Sequence, residues 1–353
     1  MFEFLASIFG WFLNFIYNFV LNYGFAIILF SIAIKIILFP ISLNQQKNMK
    51  KSAKLQQKVK ELQEKYSNDQ EKLNKEVMDL YKRENASPFS GCLSGILQII
   101  LLLSVFYLVR SPLTFMKNIN NDENLKNLVQ EYKDEISKEN SGNNSYYDEI
   151  AVISKIENEY NQISYDVNNY EEYVERKQQE KVNVEESTTN NEENSEETKD
   201  ENENNNEESD NNNEIIILSK EELENKKNNL EKLKINMNFL GLDLSKIPNQ
   251  NLGNWQVYVI PLLYVITTFI SIKLTNTMQK NALNKNENAD KEKDEMDAVL
   301  QANKSMNLLM PIMSVMISLA APLGLALYWL TNNILMIVER LIINKFFNKS
   351  EEE

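Results

Sequence analysis

Histidine is absent from the 353 residues, and Cys92 is the single cysteine. An internal disulfide is therefore excluded, as is any metal site built from Cys and His ligands. Neither a Gly-rich phosphate loop nor a dinucleotide fingerprint occurs, and no cofactor is expected. Positive charge is outnumbered, giving a net −14, but one stretch holds most of the excess. Between Gln179 and Glu214 fourteen Asp/Glu stand against two Lys. That stretch is low-complexity Asn, Glu and Ser, too poor in apolar residues to fold alone. The acidity of the whole chain thus says little about the rest of it, and no specific nucleic-acid partner is expected. Abundant Lys, Asn and Ile suggest a low-GC bacterial genome.

What is present is long apolar sequence. Five segments can cross a bilayer: Tyr23–Ser42, Gly91–Val109, Val257–Leu274, Ser305–Ala320 and Leu323–Ile343. Only Ala321-Pro322 separates the last two, which form a hairpin. Phe4–Val20 is apolar too, but Glu3, Ser7, Asn14 and Asn18 fall within about 60° of one another on a helical wheel. It reads as an amphipathic helix lying in the interface, residues 1–22. It lacks a basic n-region and a small-residue cleavage site, so it does not read as a signal peptide.

Charge flanking the spans sets an orientation. The loop 43–90 holds eleven Lys/Arg, whereas the long loop 111–253 has only Lys117, Lys126 and Lys246 near its ends. Loop 43–90, loop 275–304 and the tail 344–353 are expected in the cytoplasm. The N-terminus and the acidic loop, with its insert 118–234, are expected outside.

Every span carries a polar stripe. The first has Ser31, Lys35 and Ser42; the second Gly91, Ser94 and Gln98. The third has Tyr264, Thr268 and Ser271; the fourth Asn307, Pro311, Ser314 and Ser318. The fifth has Gly324, Tyr328, Thr331 and Asn332. Small polar residues also ease helix packing, but long groups such as Lys35 and Gln98 need water or partners. A cation at that depth costs roughly 2.5–3.5 kcal/mol on insertion scales. Lys35 lies about seven residues, or roughly 10 Å, from the cytoplasmic end, and its stem covers about half of that by snorkelling. No carboxylate is expected in a span interior to neutralise it, so Lys35 reads as an unpaired cation facing a hydrated groove. Such a group attracts a passing carboxylate.

Between the first two spans, Leu55, Val59, Leu62 and Tyr66 form one apolar stripe and Leu73, Val77 and Leu80 another. Capping boxes at Ser67–Gln70 and Asn68–Glu71 place a helix start between them. Loop 43–90 is therefore expected to be a helical hairpin, either a solvated linker or a mobile lid or docking arm for ribosome, targeting factors or anionic lipid. In the long loop, apolar residues from Ile153 to Val174 recur three and four apart, and Leu223, Leu230, Leu233 and Met237 form a matching stripe. These suggest an outer helical hairpin joined by the acidic linker.

Four stretches resemble the YidC family of membrane protein insertases. They are Tyr23-Gly-Phe-Ala-Ile-Ile-Leu leading to Lys35-Ile-Ile-Leu-Phe-Pro40, and Leu62-Gln-Glu-Lys-Tyr66 with Glu76-Val-Met-Asp-Leu-Tyr-Lys82. The others are Ser87-Pro-Phe-Ser-Gly-Cys-Leu93 with Gln98, and Pro322-Leu-Gly-Leu-Ala-Leu-Tyr-Trp-Leu-Thr-Asn-Asn333. Together they cover about residues 1–117 and 235–347. The resemblance implies an all-α polytopic membrane protein: five transmembrane helices around a hydrophilic groove, with a cytoplasmic helical hairpin. It implies a non-enzymatic insertase of the bacterial plasma membrane that receives nascent membrane proteins. A Sec translocase, the ribosome and the signal recognition pathway are the further partners it brings into view. It makes Lys35 the groove cation, Gln98 a groove amide and Trp329 a groove aromatic. Ser31, Ser94, Thr268, Ser271, Asn307 and Tyr328 are the expected lining. Lysine stands where the family more often has arginine, which keeps the charge and loses the fork. Prolines that often follow Leu93 and Gln98 are replaced by Ser94 and Ile99.

The insert 118–234 lies outside the resemblance, and its deletion is expected to spare insertion. A small-solute transporter or channel is the main alternative, and it calls for inverted repeats and broken helices that the chain lacks. A Ser31/Lys35 hydrolase needs a hydroxyl aimed at an amine one turn away on the same helix, which is an unfavourable geometry. A passive membrane anchor leaves Lys35 and Gln98 without a role.

Overall fold

The computed structural model describes residues 2–67, 69–84, 90–139, 148–193, 216–284 and 315–350. The chain divides into two compact units, residues 1–151 with 235–353, and residues 152–234.

The first unit is built on long helices. α1 spans Phe2–Val20 and α2 spans Tyr23–Lys65. α3 covers Gln70–Arg83, α4 Ser90–Arg110, α5 Pro112–Phe115 and α6 Glu123–Glu139. α7, Asp148–Asn168, begins in this unit. α8 (Tyr170–Glu193) and α9 (Lys220–Leu233) follow in the second unit. The first unit resumes with a two-stranded hairpin, β1 Asn238–Phe239 and β2 Leu242–Asp243. It ends with α10 (Val259–Asn284), α11 (described over 315–320) and α12 (Leu323–Ser350).

Among the described residues four segments are long and apolar enough to cross a membrane: Phe2–Val20, Tyr23–Asn44, Trp255–Leu274 and Leu323–Ile343. Their outward faces carry large apolar side chains. Trp11 is 69% exposed, Ile36 68% and Phe269 62%. Surfaces of that kind demand an apolar solvent.

α1 presents Ala6, Gly10, Leu13 and Tyr17 inward, a 4-3-4 spacing that makes one continuous stripe. It packs on α2 and α4. α2 starts at a turn through Leu21, whose φ of 49° is left-handed. Asn22 then caps the helix, its side chain accepting from the Phe25 amide at 3.2 Å.

The apolar span Tyr23–Asn44 agrees with the expected Tyr23–Ser42, and α2 runs on unbroken for 43 residues, through Pro40, into the expected hairpin. The ring removes only one amide–carbonyl bond, and the apolar surroundings preserve the others. The cap between the hairpin helices is Asp69, accepting from the Lys72 amide at 3.0 Å, rather than Ser67 or Asn68. Lastly, the stripe from Ile153 to Val174 is split between α7 and α8 by a turn at Asn169.

Within the second unit, Ile153, Ile156, Ile163, Leu223, Leu230 and Leu233 are buried. Arg176 pairs with Asp166 at 2.7 Å and Lys226 with Glu159 at 2.6 Å. The capping box of α9 holds the Glu222 carboxyl below its ordinary range, through hydrogen bonds from the Ser219 hydroxyl and amide. A depressed carboxyl stabilises the first turn at neutral pH and ceases to do so as pH falls through the lowered value.

The unit boundary also moves the limits of the accessory insert. Ile119, Leu125 and Val129 are buried within the first unit, and Glu149 bonds to Thr114 there. Deleting 118–234 would therefore remove part of the membrane-associated core. Excising 152–234, with a Gly/Ser linker joining Ala151 to Ile235, should leave the first unit folded. Retention of a monodisperse peak in detergent checks this, and aggregation would show that the second unit is needed for folding.

Candidate functional site

The site grows from the way one segment ties the spans together. Residues 235–246 bridge the start of α2 and the start of α12. The Asn236 carbonyl accepts from the Tyr23 amide at 3.0 Å, and its own amide donates to the Tyr17 hydroxyl at 2.9 Å. The carbonyls of Lys246 and Leu244 accept from the Leu323 and Gly324 amides at 2.9 and 3.0 Å. These are amides that the first turn of α12 leaves without intrahelical partners. Between β1 and β2, Leu240 and Gly241 both take positive φ, 51° and 81°, a two-residue hairpin turn. Phe239 then lies against the backbone of Gly24 and edge-on to Phe25 at 5.1 Å. Gly24 lets the ring approach.

So anchored, α12 lies against both α2 and α10, and the polar stripes of the three helices come together. Lys35 is not the unpaired cation expected from sequence. Its Nζ meets Glu339 Oε2 at 2.7 Å, with the lysine side chain 21% exposed and the glutamate 9%. Glu339 stands near the end of the expected last span, and attention to span interiors passed over it. The available signal was the stripe itself: Tyr328, Asn332, Leu335 and Glu339 follow one another at spacings of four, three and four.

A second polar seam joins α12 to α10. Asn333 donates to the hydroxyls of Thr268 at 2.9 Å and Thr267 at 3.2 Å. Both threonines donate onward to the Tyr264 carbonyl. Arg340 donates to Ser271 Oγ at 3.1 Å. Thr267, Asn333 and Arg340 were not among the sequence candidates. Polar groups in a span interior seek one another because hydrocarbon offers no partners.

Of the expected residues, Ser31, Lys35, Thr268, Ser271, Tyr328 and Trp329 lie on these three packed helices. Ser31 is buried, its hydroxyl donating to the Ile27 carbonyl at 2.7 Å and so bound to its own helix. Tyr328 is buried. Trp329 stacks obliquely on Tyr264 at 6.2 Å, and its buried Nε1 has no acceptor among the described residues. Ser94 and Gln98 fall on α4, but their side chains lie outside the described residues, as does Asn307. Among the described residues no cluster of acids and cysteine is suited to a metal ion.

An apolar exterior around helices joined by polar seams and a charge pair defines an α-helical polytopic membrane protein. The chain matches the family described as 60Kd inner membrane protein over residues 15–160 and 224–351, and it belongs to that family. It is 42% identical over 107 residues to "Membrane protein insertase YidC" of Caldanaerobacter subterraneus subsp. tengcongensis, a match covering 30% of this chain and 52% of the relative. It is also 42% identical over 109 residues to the protein of that name in Chlorobium phaeovibrioides, covering 31% and 18%. The protein of that name in Francisella tularensis subsp. novicida is 39% identical over 109 residues, covering 31% and 20%. The matches thus span about half of one relative and about a fifth of the others.

Proposed function

We propose that this protein is a membrane protein insertase, moving substrate transmembrane helices from cytosol to bilayer along a hydrophilic groove without covalent chemistry. One observation carries the reading. Lys35 is held inside the helix assembly by Glu339 of α12 instead of facing hydrocarbon, so a charge is maintained at membrane depth. Maintaining it is costly, and insertion is work that uses it. Relatives named as insertases support the same reading.

The mechanism is thermodynamic. A substrate helix carries a short polar, often acidic, flank that must cross the bilayer. Polar groups between α2, α10 and α12 shorten the apolar distance, and Lys35 attracts the flank. Trp329 offers an aromatic wall; Gln98, Ser94 and Asn307 are further lining candidates by sequence pattern and family resemblance alone. The substrate span then partitions into lipid, which yields about 25 cal/mol per Å² of apolar surface removed from water. The protein sits in the bacterial plasma membrane with its N-terminus outside and its C-terminus in the cytoplasm. α1 rests in the outer interface, its exposed Trp11, Phe15 and Phe19 toward lipid. The α2–α3 hairpin, basic on its surface, is the docking arm for ribosome or targeting factors, and a Sec-type channel is a partner for larger clients.

The test is reconstitution in liposomes, scored by protease protection of single-span substrates with acidic or neutral tails. Lys35→Ala should lower insertion of the acidic-tailed substrate about fivefold, the equivalent of roughly 1 kcal/mol for a partly exposed ion pair, and spare the neutral one. Equal loss for both would refute the electrostatic role. Insertion of neither substrate by the wild type would refute the insertase reading.

A further inference from the structure

The charge pair has an asymmetry that packing does not account for. Among the described residues Glu339 uses only one of its carboxylate oxygens. Oε2 meets Lys35 at 2.7 Å, while Oε1 is fully buried and accepts no hydrogen bond among the described residues. A buried ion pair repays its desolvation only when its remaining lone pairs are satisfied. Orphaned acceptors in native proteins commonly mark function. On the other side, Lys35 keeps a fifth of its side chain accessible and has three ammonium hydrogens to donate. The neighbouring Arg340 is engaged with Ser271 on α10. The pair is therefore closed toward Glu339 and open at Lys35.

We propose that Glu339 is a specificity-determining residue: an internal carboxylate that occupies Lys35 until an acidic group of the substrate displaces it. This rests on the insertase reading above. Glu339 and a substrate carboxylate compete for the same ammonium, and their like charges repel. A weakly acidic flank loses that competition, whereas a flank with several acids wins it. Glu339 thus sets a threshold of substrate charge below which Lys35 contributes nothing.

The experiment uses the full-length protein in proteoliposomes and single-span substrates with tails of zero, one or three acidic residues. Glu339→Gln keeps the shape and a hydrogen-bonding oxygen and removes the competing charge. Insertion of the one-acid substrate should rise about threefold, the scale of a partly exposed ion pair, with the zero-acid substrate unchanged. The three-acid substrate should gain less, because it already displaces Glu339. The exchanged variant Lys35→Glu/Glu339→Lys keeps a pair in place and moves the cation to the other helix. A purely structural pair predicts the wild-type tail profile for it, whereas the proposal predicts an altered one. Acylation of Lys35 by a water-soluble amine reagent, followed by mass spectrometry, reads the pairing without substrate and should be faster in Glu339→Gln.

Unchanged reactivity in Glu339→Gln overturns the proposal at its root. An unchanged tail profile in Glu339→Gln, beside a tail-dependent loss in Lys35→Ala, overturns the proposal and leaves the insertase reading standing. No tail dependence in any variant, with Lys35 reactivity raised, overturns the electrostatic part of that reading and the proposal with it.

Discussion

Gly10→Val should cost the protein about 3 kcal/mol or more, the upper range for forcing atoms into a packed site. A Cβ at Gly10 would overlap the Phe115 carbonyl and stand 3.1 Å from the Met116 amide. Both obstacles are backbone, so no side-chain rotation relieves them. α1 would have to move off α5, and Ala6, Leu13 and Tyr17 would be drawn out of their burial together. Gly10→Ala meets the same carbonyl and should show a smaller loss of the same sign. Gly253→Ala is the control, since nothing lies within 4 Å of its added methyl. Thermal unfolding in detergent, followed by size-exclusion of the heated protein, checks the series. A Gly10→Val midpoint equal to that of the control would show that α1 is not held by this contact.

Glu149→Ala should be the most damaging single change outside the membrane spans. Its carboxylate is 4% exposed and takes three donors at once. The Thr114 amide donates at 3.0 Å, the Thr114 hydroxyl at 2.5 Å and the Lys133 ammonium at 3.3 Å. Truncation orphans the amide at the start of α5 and leaves Lys133 without its acceptor. The expected loss is about 2–3 kcal/mol, set by removing the partner of a hydrogen-bonded charge and discounted because Lys133 is partly exposed. Glu149→Gln retains an oxygen for Thr114 and should lose about 1 kcal/mol. Thermal unfolding of the first unit, in the full chain and in the protein lacking 152–234, separates this effect from any on the second unit. Equal stability of Glu149→Ala and wild type would show that Lys126 to Ile150 is only loosely attached.

Gly10 sits in an apolar run that any helix accommodates, and the carbonyl it must clear is more than a hundred residues away. Glu149 is one acid among many in a loop whose charge looks uniformly solvated. Neither is distinguishable before the chain is folded, because both depend on contacts with no local periodicity.

Some features are local and were legible. Apolar length marks Tyr23–Asn44, Trp255–Leu274 and Leu323–Ile343, since a bilayer requires about 20 apolar residues whatever surrounds them. The apolar stripes on either side of Ser67–Asp69 mark a helical pair, because spacings of three and four suit one helix face. The depth of Lys35 follows from counting residues along a helix of fixed rise. What local pattern misplaces is where elements end. The helix continues through Pro40 because neighbouring hydrogen bonds survive one missing amide, and the Ile153–Val174 stripe breaks at Asn169 where one helix gives way to the next.

That this chain is a helical membrane protein of several spans, with polar stripes and a cation at depth, follows from composition and period along single helices. What the stripes face follows from how the helices pack: Lys35 meets Glu339, Asn333 takes Thr268, and residues 235–246 clamp the starts of α2 and α12. Pairing across helices depends on their rotation and relative height, which are set by packing between segments tens to hundreds of residues apart and leave no trace in the spacing of any one of them.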